Sequence, residues 1–355
     1  MNICLLGDSS GNPDEGMKII AGRLRRELSK RHGVLALDPR RIHRAGFWRD
    51  LRECRPDILH YIPGPSIASC IVLKLLGAGF PKARTVLSAP MPSIRSWATP
   101  ILPLLRPDLV LAQSVNSGRL FQRWGMPVEY LPISGVDTEI FRPVSKAKKA
   151  ALRRRYGVRT DQYVVLHVGN IKRKRNVQLF SGLSSRRILP VLVGSTSAGM
   201  ETPLREELTS AGCIVITDYL DCVEEYYQLA DCYVFPIPAA NTDACIQFPL
   251  SILEAAACDL PILSTRFGAI AEIFGGVSGV QLFDRDEDIL QAIRTAADGK
   301  RTNGGKTREV ATRYSWKRII PALEKSYAEL AGRTPGRGGN RTPAPGNPAD
   351  TAGSP

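Results

Sequence analysis

Two stretches of this 355-residue sequence carry charged side chains at places where they could do chemistry, one at a helix start and one in a loop after an apolar run. In the first, Phe248-Pro-Leu-Ser-Ile-Leu-Glu-Ala-Ala-Ala-Cys-Asp-Leu-Pro261 leads into an apolar run, Ile262 to Thr265, and a turn, Arg266-Phe-Gly-Ala269. Pro249 suits the first turn of a helix, where its missing N–H costs nothing, and the amides around Leu250 and Ser251 then face an anion. Glu254 follows about one turn further in, on an otherwise apolar helix. An unpaired carboxylate is costly there, and a sugar diol would satisfy it with two hydrogen bonds. The competing reading has Glu254 simply at the edge of a sheet. In the second stretch, Val168-Gly-Asn-Ile-Lys-Arg-Lys-Arg-Asn-Val177, an apolar strand ends on a small glycine and opens into a loop with Lys172, Arg173, Lys174 and Arg175. Cations at the carboxyl end of a parallel strand sit where open α/β sheets bind ligands, and they match a diphosphate. Any one of the four alone reads as a solvated charge; the group reads as a phosphate clamp.

Other chemistries find little support. The eight cysteines show no C-x-x-C spacing and sit mostly inside apolar runs, so free, buried thiols are expected. His32, His43, His60 and His167 are far apart and form no H-E-x-x-H cluster, so no metal is expected.

The elements that must position these residues alternate along the chain. Asn2 to Leu6 is an apolar run, followed by the loop from Gly7 to Gly16 and a helical pattern from Met17 to His32. Val34 to Leu37, Ile58 to Tyr61, Thr85 to Ser88 and Leu109 to Ala112 are further strand candidates, with helical stretches between most of them. After Pro143 the basic stretch Lys146 to Arg155 opens a second series. Strands are expected at Val164 to Val168, Pro190 to Val193, Ile214 to Thr217, Cys232 to Phe235 and Pro261 to Ser264, and helices at Asn176 to Leu183, Pro203 to Ala211, Val223 to Ala230, Pro249 to Ala257 and Glu287 to Ala297. Such alternation predicts an α/β protein with two doubly wound parallel sheets. The expected domains are 1–145 and 146–332. Residues 333–355, rich in Gly, Pro, Thr, Ala and Arg, lack apolar periodicity and are expected to be a disordered tail.

Taken with Pro132-Ile-Ser-Gly-Val-Asp-Thr-Glu-Ile-Phe-Arg-Pro143, these motifs resemble the retaining GT-B glycosyltransferases, in particular family 4. The likeness runs to about residue 330. It implies two Rossmann-like domains facing each other across a cleft, an acceptor domain first and a nucleotide-sugar domain second. It implies further that Glu254 binds the nucleotide ribose, that the amides near Leu250 and Ser251, after Pro249, touch the diphosphate, and that Arg175 bonds to it. Tyr219 and Leu220 fall where the family lines its base pocket. Gly16 matches a glycine that lets backbone approach the donor, which a Cβ would obstruct. The donor is a nucleoside diphosphate sugar, a substrate rather than a cofactor, and no cofactor is expected.

Three positions depart from the family pattern. Where an acidic residue usually stands near the transferred sugar, this chain has Ile246 and Gln247. Gln247 can hydrogen-bond sugar hydroxyls but cannot stabilise a developing cation as a carboxylate does, and Asp243 is the candidate replacement. Asn170 takes the place of an Arg, leaving Lys172 or Lys174 to support the clamp. No His follows the fourth strand, where the chain reads Leu87-Ser-Ala-Pro-Met-Pro-Ser93. The expected function is therefore sugar transfer to a lipid-linked, glycan or other acceptor. The alternative is a catalytically weakened GT-B protein that binds a sugar nucleotide as a partner or regulator.

Charge adds a possible partner. The net charge of +14 is concentrated early, since residues 1–150 hold 23 Lys and Arg against 12 Asp and Glu, a net of +11. Such a field attracts phosphate-bearing lipids, polyprenyl phosphates or nucleic acid, and charge alone does not choose among them; an anionic membrane surface is the partner expected of the basic first domain. The segment Ile94 to Arg106, with Trp97, Ile101, Leu102, Leu104 and Leu105 between Arg95 and Arg106, either dips into a lipid interface or packs in the core. No apolar run reaches the roughly 20 residues of a membrane span, and no secretory pattern opens the sequence. A cytoplasmic location, peripheral at the inner membrane face, is expected. Nucleic acid is suggested only by the pI of about 9.6 and by no motif, and none is expected.

Overall fold

The computed structural model describes residues 1–8, 16–90, 94, 96–194, 201–238, 247–299 and 305–332. Asp243, the loop residues 9–15 and the tail 333–355 lie outside the described residues. The first series of elements runs β1 (Asn2–Leu6), α1 (Gly16–Leu28), β2 (Gly33–Leu37), α2 (Ala45–Cys54), β3 (Ile58–Tyr61), α3 (Ile67–Gly79), β4 (Arg84–Ala89), β5 (Leu109–Ala112), α4 (Val115–Arg123) and β6 (Val128–Tyr130). The second runs α5 (Lys146–Arg155), β7 (Tyr163–Val168), β8 (Ile188–Val193), α6 (Thr202–Ser210), β9 (Ile214–Ile216), α7 (Glu224–Leu229), β10 (Cys232–Phe235), α8 (Leu250–Ala257), β11 (Ile262–Thr265), α9 (Ile270–Phe274), β12 (Val280–Phe283), α10 (Asp286–Ala297) and α11 (Thr307–Arg313). The helix α12 (Trp316–Ala331) follows.

Among the described residues every strand pairing is parallel, and most strands are near-continuous apolar runs, as sheets covered on both faces require. The first sheet has the order β2-β1-β3-β4-β5-β6 and the second β12-β11-β10-β7-β8-β9. The second is the Rossmann order, whereas the first follows the flavodoxin-like order with one strand more. Among the described residues a core cluster forms in each series. One gathers Leu6, Leu59, Leu87, Val110 and Phe121; the other gathers Val165, Phe180, Leu192, Val234 and Leu263.

Packing groups the chain up to Gly135, residues 247–248 and α12 in one compact unit, and the described residues of Val136–Ala244 and Pro249–Ser315 in a second. The division thus falls ahead of the 145/146 boundary expected from the basic stretch. The segment after Val136 is held by the second unit, because Arg308 of α11 donates to the carbonyls of Thr138 (3.0 Å) and Phe141 (3.1 Å). Helix α12, expected in the second domain, belongs to the first unit. It buries Trp316, Ile319, Ile320, Leu323, Tyr327 and Leu330, and its polar residues find partners there. Tyr327 Oη lies 2.5 Å from His60 Nδ1, Ser326 donates to Glu129 (2.6 Å), and Glu324 meets His32 and Arg31.

Two local expectations are corrected. In place of an α-helix over Asn176 to Leu183, the chain makes 3-10 turns at Arg173–Arg175 and Val177–Gly182. Asn176 between them is left-handed (φ 59°), which interrupts any continuous helix. Of the described cysteines, Cys4, Cys70, Cys213, Cys232 and Cys258 are free and buried, but Cys222 is exposed.

Candidate functional site

In the second unit the strand order reverses between β7 and β10, and the space beyond the carboxyl ends of such strands is where open α/β sheets take ligands. Most of the residues singled out in the sequence stand there or on the helices that follow. Strand β7 ends at Val168, and Gly169 continues with φ +156°, a conformation that L side chains rarely adopt. Its N–H remains tied to Val193 of β8 at 2.9 Å. The chain therefore leaves the sheet sharply and turns into the basic loop.

The cations of that loop differ in their surroundings. Arg173 is engaged, by an ion pair from its guanidinium to Glu207 and by its backbone N–H near the Glu201 carboxylate. Asn176 Nδ2 donates to Asp286 of α10 at 2.8 Å and fixes the loop's far end. Arg175 differs. It is partly buried, burial lowers its pKa, and its Nη1 is fully buried with no hydrogen-bond partner. A guanidinium nitrogen withdrawn from water without an acceptor is costly, and an anion removes that cost. Asn170 and Lys172 are partly buried on the same loop, with the Lys172 N–H donating to the Asn170 carbonyl (3.1 Å), while Lys174 is exposed.

His167, on β7, was not singled out as a site residue. Its Nδ1 sits 2.9 Å from the Val234 carbonyl and must donate to it, which leaves Nε2 as a bare acceptor. Burial, assisted by the nearby Arg175 charge, pushes the pKa down to about 4, so the ring is neutral at pH 7. Nε2 is buried without a partner, and a methyl group on Gly169 would come 3.4 Å from it. Two orphaned polar atoms, on Arg175 and His167, thus belong to the carboxyl end of β7 and the loop it feeds. A histidine inside an apolar strand, two residues before a glycine, was the only signal available.

Helix α8 carries the other half of the site. Pro249 is the extended residue that caps it (φ −68°, ψ 136°), so the helix begins at Leu250, one residue later than expected. The amides of the first turn, Leu250 and Ser251 among them, have no intrahelical acceptor. Ser251 Oγ accepts from Tyr233 Oη at 2.7 Å, and the same phenol lies 3.2 Å from the Val168 carbonyl, joining α8 to the end of β7. Glu254 is partly buried and accepts a hydrogen bond from Tyr227 Oη at 2.6 Å on Oε2. Burial pushes its pKa up to about 7 against the relief that Tyr227 gives, and the Glu224 charge adds to the rise. It is not a mere rim residue. Tyr227, Tyr233 and Phe235 stack in succession, and Phe235 stacks on Phe267 at 5.4 Å, so an aromatic series backs the site. Sequence reading passed over that series, because the tyrosines and Phe235 sit in α7 and β10, where aromatics read as core.

Tyr219 and Leu220 stand on the loop between β9 and α7, the former exposed and the latter partly buried. No hydrogen bond or ring contact among the described residues ties them to Glu254 or Arg175. Gly16 opens α1 and is exposed, in the first unit. Gln247 also belongs to that unit, where its N–H donates to the Pro90 carbonyl at 3.2 Å.

Comparison with known proteins agrees with this architecture. Residues 162–298 match the family model described as "Glycosyl transferases group 1". The chain is 31% identical over 218 residues to a D-inositol 3-phosphate glycosyltransferase of Geodermatophilus obscurus, covering 56% of this chain and 46% of the relative. It thus spans about half the length of the curated relatives it matches. Sucrose-phosphate synthase from Thermosynechococcus elongatus superposes with a TM-score of 0.72 at 15% identity, over 92% of this chain and 98% of that one. Anabaena HepE in complex with UDP and glucose does so with a TM-score of 0.72 at 14% identity, over 93% and 100%. The fold is GT-B.

Proposed function

We infer that this chain, a GT-B protein whose second unit carries a glycosyl transferases group 1 domain, moves a sugar from a nucleoside diphosphate sugar to an acceptor. The observation that carries the reading is the buried, unpartnered Arg175 Nη1 in the loop after β7, beside the strand-order switch. A diphosphate supplies the missing acceptor, with the first-turn amides of α8 and Lys172 or Lys174 sharing its charge. Glu254 takes the ribose hydroxyls on the carboxylate oxygen that Tyr227 leaves available. Tyr219 and Leu220 flank the base. These cations and amides neutralise the leaving diphosphate, so the reaction proceeds without a metal or cofactor. Transfer with retention, and a place in family 4, complete the reading.

The first unit takes the acceptor, and Gly16, Gln247 and Asp243 keep the roles that the resemblance gives them, Asp243 as the replacement carboxylate. The protein acts in the cytoplasm, at an anionic membrane surface. A second reading, a sugar-nucleotide-binding partner or regulator, is favoured by Ile246 and Gln247 standing where the family has an acid.

Thermal shift with a panel of nucleotide sugars, beginning with the UDP-glucose that HepE holds in another complex, tests binding. Donor turnover in the presence of acceptors then separates the two readings. Stabilisation without hydrolysis or transfer favours the regulator, and no stabilisation by any nucleotide sugar removes both.

A further inference from the structure

Eight large apolar side chains are exposed among the described residues, and four of them lie on two neighbouring elements of the first unit. Ile71 and Leu75 share one side of α3 at i, i+4 spacing, with Leu75 57% exposed. Ile101 and Leu104 stand on the 3-10 segment Ser96–Leu105, which packs against α3, and Leu104 is 72% exposed. The inward sides of the same elements are spoken for: Leu73, Leu76 and Leu102 are in the core, with Val72 and Leu105 packed on it. The outward leucines are therefore not needed to hold the fold. The 3-10 segment thus buries Leu102 in the core and leaves Ile101 and Leu104 exposed, while the Trp97 side chain lies outside the described residues.

Along these elements and the strands between them the charges are mostly basic. From Ile58 to Val128 the sequence holds seven Lys and Arg and a single acid, Asp108. Asp108 is engaged by the Thr85 N–H and hydroxyl at 2.8 Å each and by Arg84. Lys74, Lys82, Arg106, Arg119 and Arg123 are exposed and form no ion pair among the described residues. Lys74 lies between the exposed apolar residues of α3, and Arg106 follows the 3-10 segment directly. The end of α4, the helix that carries Arg123, is close by, since a methyl group on Gly125 would lie 4.0 Å from Pro103 Cγ. Exposed leucines among unpaired cations, with the acids removed, fit an interface that is apolar beneath and anionic above.

We propose that α3 and the segment Ser96–Leu105 form the surface by which this protein docks on a bilayer of anionic lipid. Leu75 and Leu104 enter the acyl boundary while Lys74, Lys82, Arg106 and Arg123 meet lipid phosphates. This deepens the membrane reading above and is independent of sugar transfer, because docking is measured without nucleotide. The full chain is spun down with vesicles of phosphatidylcholine alone or with one third phosphatidylglycerol, at low and high salt. The wild type is expected in the pellet with anionic vesicles at low salt, and to be released as salt rises. The variant L75E/L104E, with an unchanged melting temperature, should lower partitioning on the order of a hundredfold, whereas I214E, which alters an exposed apolar residue of the second unit, should not. Wild-type protein that remains in the supernatant overturns both the surface and the membrane reading. Equal binding of wild type and L75E/L104E overturns this surface alone. A dimer in sedimentation equilibrium that L75E/L104E abolishes, without vesicle binding by the wild type, gives the patch to a second copy and overturns the proposal.

Discussion

Glu254 and Arg175 are each held in a state their surroundings penalise, and that penalty makes their roles measurable. Glu254 has its pKa raised from 4.5 to about 7 by burial. The neutral acid stabilises the fold fully below the ordinary carboxylate range, and that contribution is lost as pH rises through 7. Glu254→Gln cannot ionise, so in urea denaturation the wild type should fall in stability relative to E254Q between pH 5 and pH 8. Nucleotide-sugar binding should run the other way, since ribose hydroxyls donate best to the ionised carboxylate and the donor's diphosphate has no proton to lose in this window. Affinity should rise from pH 5.5 to 8 in the wild type and stay flat in E254Q; equal profiles would remove Glu254 from the site. Arg175→Ala deletes an orphaned guanidinium, so the free protein should lose little stability while nucleotide affinity falls by about 1.5 to 3 kcal/mol, the range of a charged hydrogen bond. Arg187→Ala is the control, because Arg187 is exposed and paired with Asp298 at 3.3 Å. Equal effects in calorimetric titration would reduce the basic loop to a solvated face.

At the scale of elements, the Pro132 to Pro143 motif contains a glycine whose need is steric. A Cβ on Gly135 would come 2.7 Å from Trp316 Cδ2 and 2.9 Å from Ile319 Cδ1, both buried side chains of α12. Gly135→Ala should therefore destabilise the protein by about 1 to 3 kcal/mol, as overpacking does, despite the lower chain entropy that alanine brings to the unfolded state. Adding Trp316→Leu should make the Gly135→Ala cost smaller than in the wild-type background, and additive melting shifts would rule out the clash. That contact also marks the limit of sequence reading. Strands β1, β3, β5 and β10 were legible to the residue because each is a short, mostly apolar run bounded by turns. Edge strands β6 (Val-Glu-Tyr) and β12 (Val-Gln-Leu-Phe) were missed, since a strand with a single neighbour needs few apolar residues and carries no run to detect. The site was legible where it depends on backbone, at Gly169 and the start of α8. It was not legible where it depends on which side chains meet, as with Tyr227 on Glu254 or the orphaned Nε2 of His167.

For the whole molecule, the path of the chain decides which parts stand alone. The chain leaves the first unit after Gly135, touches it again at 247–248 and rejoins it at Trp316. The second unit is thus almost contiguous, and one core cluster among its described residues, from Val165 to Ile293, lies wholly within it. The first unit depends on α12, whose six large buried side chains contribute about 1.5 to 3 kcal/mol each, comparable with the whole stability of an ordinary domain. In the intact protein burial holds the His60 pKa down near 3, and without α12 the ring also loses the Tyr327 hydroxyl 2.5 Å from its Nδ1. A protein ending at Ser315 should therefore lose amide protection throughout β1, β3 and β4 while β7, β10 and β11 stay protected. A fragment 136–315 should melt cooperatively, and nucleotide sugar at a hundred times its Kd should stabilise it by about 2.7 kcal/mol. Hydrogen exchange read by mass spectrometry follows both units at once. If the protein ending at Ser315 keeps full protection in β1 and β3, the returning helix is dispensable, and its buried apolar side does not hold the first unit together.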